Sequence, residues 1–220
     1  MIKANSKYGP QGTWQFMSAK LIKEPGLEHN FVDDLESSLY VLLWVTLMYS
    51  EVSDRDQVPP FLASVLDPQP YNNKGGFAKM DFLKGRSFLQ QVQFPNRPAL
   101  HRLIDSLAEL FRYRYETQPT KSERAESNQL RAMLDTSSST SPLFWKAYEK
   151  SSCRLYDVWM AKLENHHATI DLFITALSDR SGWPANDFPV QQVFQPKPSN
   201  KPVLKTDWNT TLFVEALHIK

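Results

Sequence analysis

The stretch from His29 to Tyr49 reads HNFVDDLESSLYVLLWVTLMY and decides the fold. Asp33 and Asp34 come early in it, and Glu36 follows Asp33 at the spacing from which a carboxylate reaches the free backbone N–H groups of a first helical turn. We therefore expect a helix with Asp33 as its N-cap. From Leu39 onward the residues are apolar on every side of a 3.6-residue helix, which predicts a helix buried all round.

The same helix is unsuited to a membrane. A membrane-spanning helix needs an apolar stretch of roughly 17 to 25 residues, and the polar DDLESS start shortens the apolar run below that length. The pattern instead predicts the central core helix of a soluble domain, with other helices packed around it.

The composition of the chain limits its class. Its 220 residues suffice for one good core, and 41% of them are hydrophobic. Lys and Arg number 25 against 24 Asp and Glu, so no overall charge favours nucleic acid or an anionic membrane, and neither is expected as a partner. A single cysteine, Cys153, and an N-terminus without an apolar signal core favour an intracellular location, in the cytoplasm or the nucleus.

A second helix is predicted after Pro98. Apolar residues recur at three- and four-residue spacing between Leu100 and Phe111, with charged residues between them, which is typical of an amphipathic helix. The RYRYE that follows alternates Arg112 and Arg114 with tyrosines. That composition suits stacking on single-stranded nucleic acid, but two arginines in a neutral chain favour a solvated helix end.

The rest of the chain is predicted to alternate helices with polar connections. Residues 117–141 read as a polar, flexible insertion with a short helix around Glu123 to Leu134. Further helical periods run from Pro142 through Cys153 to Leu163 and on to Leu177. Residues 191–220 read as a Pro- and Lys-rich linker and a short amphipathic segment.

Two sequence patterns resemble ligand sites, but their residues do not have the spacing that such sites require. Lys74, Gly75 and Gly76 lack the Gly-x-x-x-x-Gly-Lys order of a phosphate-binding loop. His29 has no second ligand at helical spacing, so no metal site is predicted and a structural loop histidine is favoured.

Two motifs in order carry a resemblance to a known family. GTWQFMS at 12–18, followed after a short loop by His29 and DDLES at 33–37, resembles the C-terminal half of a protein kinase domain. The form it most resembles is the fungal-type protein kinase family, with casein-kinase-1-like enzymes more distant. The similarity continues, with falling specificity, through KMDFLKGRSF at 79–88 to the GWP at 182–184.

The resemblance implies a mainly α fold. It corresponds to the helical C-lobe of a protein kinase-like domain, packed around a buried central helix and without the β-rich N-lobe. Residues 1–190 would form this partial domain, with GTWQFMS as the end of the activation segment and DDLES as the start of the central helix.

The resemblance also implies roles for particular residues. Gly12 and Thr13 would face the substrate, Thr13 resembling the threonine that bonds a catalytic aspartate and lysine. Asp34 matches the aspartate that accepts backbone hydrogen bonds from the catalytic loop. Asp33, Asp34 and Glu36 would then be structural, a role that coexists with simple N-terminal capping. Lys20 stands where many kinases carry a glutamate that pairs with a buried arginine, so that ion pair is not expected.

The parts of a phosphoryl-transfer site lie elsewhere in kinases. A Gly-rich loop, a strand lysine, a catalytic-loop aspartate and a Mg²⁺-binding aspartate all precede the GTWQF-like segment, and no HRD-like or DFG-like tripeptide follows it here. No catalytic residue is therefore expected in this chain. ATP and Mg²⁺ are expected only for a full-length relative.

Three functions remain open at this stage. The chain is a fragment of a protein serine/threonine kinase, or a non-catalytic, pseudokinase-like module that binds a protein partner or substrate, or a decayed fragment without function. A longer transcript would favour the first, a co-purifying partner the second, and the lack of a cooperative melting transition the third.

Overall fold

The computed structural model describes residues 14–24, 26–66, 75–136, 142–186 and 189. Every regular element within these ranges is helical, and none of them contains a strand. The mainly α fold class is therefore confirmed. Gly12, Thr13 and the segment 191–220 lie outside the described residues.

The helices follow one another along the whole described chain. They are α1 (Ala19–Lys23), α2 (Phe31–Tyr49), α3 (Val58–Phe61), α4 (Phe77–Gly85), α5 (Ser87–Gln91), α6 (Pro98–Arg112), α7 (Lys121–Thr136), α8 (Pro142–Glu149), α9 (Ser152–Lys162) and α10 (His167–Ser178). Short 3₁₀ turns at Arg55–Gln57 and Arg180–Gly182 and a π-helical turn at Leu62–Leu66 complete the regular structure.

Helix α2 begins one turn earlier than predicted. Its N-cap is Asn30, whose side chain accepts the backbone N–H groups of Val32 at 3.0 Å and Asp33 at 3.2 Å. Asp33 returns the bond by accepting the N–H of Asn30 at 3.0 Å. Asp33 as the N-cap was therefore wrong, because the asparagine upstream completes a reciprocal capping box in which Asp33 is the third helical residue.

One face of α2 reaches the centre of the core, where Leu39, Leu43 and Leu47 are fully buried. The opposite face is open. Val41 and Val45 each keep 43% of their surface exposed, so the prediction that α2 is buried all round was wrong. Apolar periodicity shows which residues prefer burial, but it does not show whether another element covers them.

The exposed residues of α2 form a continuous line, which we name the open seam: Phe31, Asp34, Val41 and Val45. Their spacings of three, seven and four residues place them on one side of the helix. No helix in the described part of the chain is long and apolar enough to cross a membrane, and α2 is included in that statement.

Helix α6 shares the centre of the molecule with α2 and packs against α2, α4 and α10. The predicted amphipathic pattern is confirmed, since all the residues of its apolar face are buried: Leu100, Leu103, Ile104, Leu107, Leu110 and Phe111. These residues belong to one hydrophobic cluster that includes α2, α3, α4 and α5 and reaches Ala176 in α10.

Three predicted helices differ in their bounds. The helix expected over residues 79–91 is broken at Arg86, which adopts a left-handed φ of 52° and separates α4 from α5. The helical period after Pro142 is interrupted where Ser151 caps a new helix, α9. The short helix expected around Glu123 to Leu134 is the 16-residue α7.

Candidate functional site

The start of α2 meets the start of α1 through two acidic side chains. Ser18, the N-cap of α1, donates its hydroxyl to Asp33 Oδ1 at 2.7 Å. The backbone N–H of Ala19 donates to Glu36 Oε1 at 2.8 Å. The segment before α1 is thereby fixed to the first turns of α2.

Glu36 is fully buried and accepts several hydrogen bonds besides that from Ala19. Tyr40 Oη lies 2.9 Å from Glu36 Oε1, and Tyr115 Oη lies 2.7 Å from Oε2. Tyr115 Oη also accepts the backbone N–H of Lys20 at 3.1 Å. Because both carboxylate oxygens accept hydrogen bonds, Glu36 holds its neighbouring groups in place.

A buried arginine forms ion pairs with both acids. Arg114, in the turn after α6, places Nη2 2.7 Å from Asp33 Oδ1 and also pairs through Nη1 with Glu36. The side chains of all three residues are at most 7% exposed. We name the group Asp33, Glu36, Tyr40, Arg114 and Tyr115 the acid cluster.

The electrostatics of the acid cluster follow from burial and pairing. Burial raises the pKa of Asp33, but hydrogen bonds from Arg114, Asn30 and Ser18 outweigh it, so the pKa lies below the usual range. Burial and the neighbouring Glu36 carboxylate raise the pKa of both Tyr40 and Tyr115. Both tyrosines therefore stay neutral and donate hydrogen bonds to Glu36.

A second buried cation, Lys79 of α4, holds the segment before α1. Its side-chain nitrogen donates to the carbonyl oxygens of Gln15 and Met17, each at 2.7 Å, and lies 4.2 Å from the centre of the Tyr40 ring. The residue is fully buried. Burial lowers the pKa of Lys79 to about 7, and the nearby Glu36 carboxylate opposes that shift.

The structure separates the predicted acidic residues. Asp33 and Glu36 lie together in the acid cluster, whereas Asp34 points away on the open seam with an exposed side chain. The only ion pair of Asp34 within the described residues is with His29, whose Nε2 lies 3.1 Å from Asp34 Oδ1. His29 is thus a loop residue beside a carboxylate, and no described group of His, Cys, Asp and Glu is arranged to hold a metal ion.

The interpretation of RYRYE as a solvated helix end was wrong for three of its residues, the first of which is Tyr113, buried and stacked on the Trp159 ring. Arg114 and Tyr115 turn inward to the acid cluster, while Arg112 stays at the surface between Glu109 and Glu116. The two buried carboxylates near the start of α2 require a cation. Because Lys20 is exposed, that cation comes from another element of the chain. Lys79 was missed because a lysine among apolar residues looks like a surface position.

The arrangement positions the backbone around the start of α1. The acid cluster and Lys79 join α1, α2, α4 and the end of α6 around residues 14–20. Their combined effect is to fix the path of the chain that leads from residues 14–17 into α1.

Comparison with known proteins gives one match. The family model described as fungal protein kinase matches residues 2–46, which include the segment before α1, the acidic start of α2 and most of α2. No curated protein and no solved structure matches the chain. Residues 2–46 are therefore similar to the fungal protein kinase family, and the resemblance seen in the sequence is confirmed for this stretch.

Proposed function

We propose that this chain is the helical C-lobe portion of a fungal-type protein serine/threonine kinase domain and that it transfers no phosphate by itself. The observation that carries the proposal is the family match over residues 2–46, which ends within α2. ATP and Mg²⁺ would be bound by the remainder of a complete kinase domain. We also propose an intracellular location, which fits a chain with a single cysteine, Cys153.

The acid cluster supports this placement. In the kinase resemblance, GTWQFMS ends the activation segment and DDLES opens the central helix, so the two motifs should lie against each other. Here Ser18 bonds Asp33 and Ala19 bonds Glu36. Gly12 and Thr13 would extend this anchored segment toward a protein substrate.

The open seam supports it as well. Asp34 matches the kinase aspartate that accepts backbone hydrogen bonds from the catalytic loop, and its carboxylate is exposed beside Phe31, Val41 and Val45. An exposed acceptor flanked by apolar side chains suits a backbone segment that packs on the helix and donates N–H groups. We therefore assign the open seam as the surface on which the catalytic-loop part of a kinase domain packs.

The test is complementation of a divided kinase. The chain is mixed with the N-terminal part of a fungal-type protein kinase, from its Gly-rich loop through its Mg²⁺-binding aspartate, and phosphate transfer from labelled ATP to a general protein substrate is measured. We expect transfer from the mixture and none from the chain alone. Transfer by the chain alone would overturn the proposal.

Substitutions on the open seam test whether complementation depends on that surface. Val41→Asp with Val45→Asp should abolish complementation while leaving the helical circular dichroism unchanged, because both side chains lie at the surface. The matched control is Leu130→Asp with Met133→Asp, two exposed apolar residues of α7, which should complement as the unchanged chain does. Equal activity of the seam variant and the control would exclude the seam as the docking surface.

The alternative is a pseudokinase-like interaction module. The open seam favours it too, because an apolar surface with one carboxylate suits a protein partner. It predicts that the chain binds the N-terminal part of a kinase, measured by size-exclusion chromatography, without any phosphate transfer by the complex.

A further inference from the structure

Helices α7, α8 and α9 enclose a polar concavity of about 220 Å³, separate from the acid cluster. Its lining includes Arg124, Ser127, Asn128 and Arg131 of α7, Tyr148 of α8 and Arg154 of α9. The four residues of α7 have the spacing i, i+3, i+4, i+7, so they lie on one face of that helix.

The concavity has an excess of positive charge. Three guanidinium groups line it, and the one carboxylate among its lining residues is Asp157. Arg124 pairs with Asp157 at 2.7 Å, and Arg131 makes a 3.5 Å contact with Asp135, which lies outside the lining, and lies over the ring of Tyr148. Glu123 and Glu126 are also on α7 but bond to Thr120 and Ser122.

Arg154 differs from Arg124 and Arg131 in having no carboxylate partner among the described residues. It is half-buried. Partial burial of an unpaired charge is unfavourable, and an anion in the concavity would remove that cost. Arg154 also lies in the first turn of α9, whose N-cap is Ser151, so the helix adds partial positive charge at the same place.

The size and chemistry of the concavity select the anion. Its volume is below the roughly 300 to 1,000 Å³ typical of sites for drug-sized ligands. Guanidinium groups bind tetrahedral oxyanions through paired hydrogen bonds, and the side chains of Ser127 and Asn128 supply further donors. These features suit a compact ion with several acceptor oxygens.

We propose that this concavity binds a phosphate dianion, either free phosphate or the phosphomonoester of a serine or threonine side chain. Arg154 and Arg131 hold its oxygens, Arg124 supplies further charge, and Asp157 competes with the anion for Arg124. The site does not rest on the kinase proposal, since none of its residues lies within residues 2–46.

The first experiment titrates inorganic phosphate into the full chain at constant ionic strength, maintained with sodium chloride, and follows binding by calorimetry. Arg154→Gln should weaken the affinity by about tenfold or more, because each charge-assisted hydrogen bond contributes substantially. Arg180→Gln removes the same charge at an exposed position outside the concavity and should leave the affinity unchanged.

Asp157→Asn should change the phosphate affinity in the opposite direction. Removing the competing carboxylate frees Arg124, so phosphate should bind this variant severalfold more tightly. A purely structural role of the charged residues predicts no such gain. Arg154→Lys, which keeps the charge but loses the forked donors, should retain an intermediate affinity and serves if Arg154→Gln does not fold.

The second experiment identifies the source of the phosphoryl group. A short alanine-rich peptide with one phosphoserine is compared with its unphosphorylated form and with inorganic phosphate. Tighter binding of the phosphopeptide than of phosphate identifies a phosphoprotein ligand, and equal binding identifies free phosphate. The proposal is overturned if phosphate does not bind the unchanged chain, or if it binds Arg154→Gln and Arg180→Gln with equal affinity.

Discussion

Arg114 lies between two buried carboxylates, and its removal would leave both without a cation. We expect Arg114→Ala to lower the free energy of unfolding by roughly 3 to 5 kcal/mol, because Asp33 and Glu36 are at most 1% exposed and would remain as uncompensated charges. Urea denaturation followed by circular dichroism measures the change.

The matched control for Arg114 is its neighbour Arg112. Arg112 makes ion pairs with Glu109 and Glu116 at the surface, with about a third of its side chain exposed. Arg112→Ala should therefore cost only about 0 to 1 kcal/mol. Similar costs for the two variants would mean that the acid cluster does not stabilise the fold.

The lowered pKa of Lys79 makes the stability of the fold depend on pH. Its pKa is about 7 in the folded chain and roughly 10.4 when unfolded, so the unfolded chain binds more protons between these values. The free energy of unfolding should therefore rise with pH from 7 to 9, by about 2 kcal/mol from this group.

The contribution of Lys79 is isolated by comparing slopes. Lys79→Met should lose the rise between pH 7 and pH 9, whereas Lys84→Met, an exposed lysine of the same helix, should keep it. Chemical denaturation at each pH gives the slopes. An unchanged slope in Lys79→Met would show that the buried amine keeps its usual proton affinity.

For single residues, the sequence indicated which acidic side chains matter at the start of α2, but it did not indicate which cation pairs with them. The sequence groups Asp33, Asp34 and Glu36 at the start of α2, where Asp34 is exposed and Asp33 and Glu36 are buried. Their partner lies about 80 residues further on, and local spacing carries no information about a contact over that distance. The capping role of Asn30 was within reach, since asparagine is as good an N-cap as aspartate.

The two faces of α2 should respond differently to truncation. Leu43 is fully buried, so Leu43→Ala should lower the free energy of unfolding by roughly 2 to 5 kcal/mol. Val45 lies on the open seam, so Val45→Ala should lower the free energy of unfolding by less than about 1 kcal/mol. Thermal or urea unfolding of the two variants checks this, and a larger cost at Val45 would indicate that the seam is covered.

Helices α1 and α4 approach closely at a glycine. Gly76 precedes α4 with a φ of 81°, and a Cβ atom there would collide with the carbonyl oxygen of Ala19. Gly76→Ala should therefore lower the melting temperature, through both backbone strain and that collision. Differential scanning calorimetry measures the shift.

Gly85 provides the control for Gly76. It lies in α4 with no atom within 4 Å of an added Cβ, and alanine favours a helix more than glycine does. Gly85→Ala should leave the melting temperature unchanged or raise it. A loss of stability equal to that of Gly76→Ala would argue against the close approach of α1 and α4.

Helix periodicity predicted the elements better than their ends or their surroundings. The apolar face of α6 was predicted residue by residue, because a single stripe of apolar side chains leaves one orientation toward the core. Helix α2 offers apolar residues on all sides, so the sequence did not distinguish its buried face from the open seam. The break at Arg86 was also hidden, since left-handed backbone at an arginine has no strong sequence signal.

At the scale of the whole molecule, the described chain is a helical body in which α2 and α6 share the core. The family match covers the segment before α1 and most of α2, and the acid cluster attaches that segment to the helices that follow. The helical class followed from periodicity, but the family required the motifs, because apolar spacing is shared by unrelated helical proteins.

The most direct test of the proposed function is calorimetric titration of the chain with ATP in the presence of Mg²⁺. A C-lobe portion lacks the Gly-rich loop and the paired lysine that hold the nucleotide phosphates, so we predict no saturable heat up to about 1 mM nucleotide. Binding with a Kd in the micromolar range, lost on removal of Mg²⁺, would contradict the account.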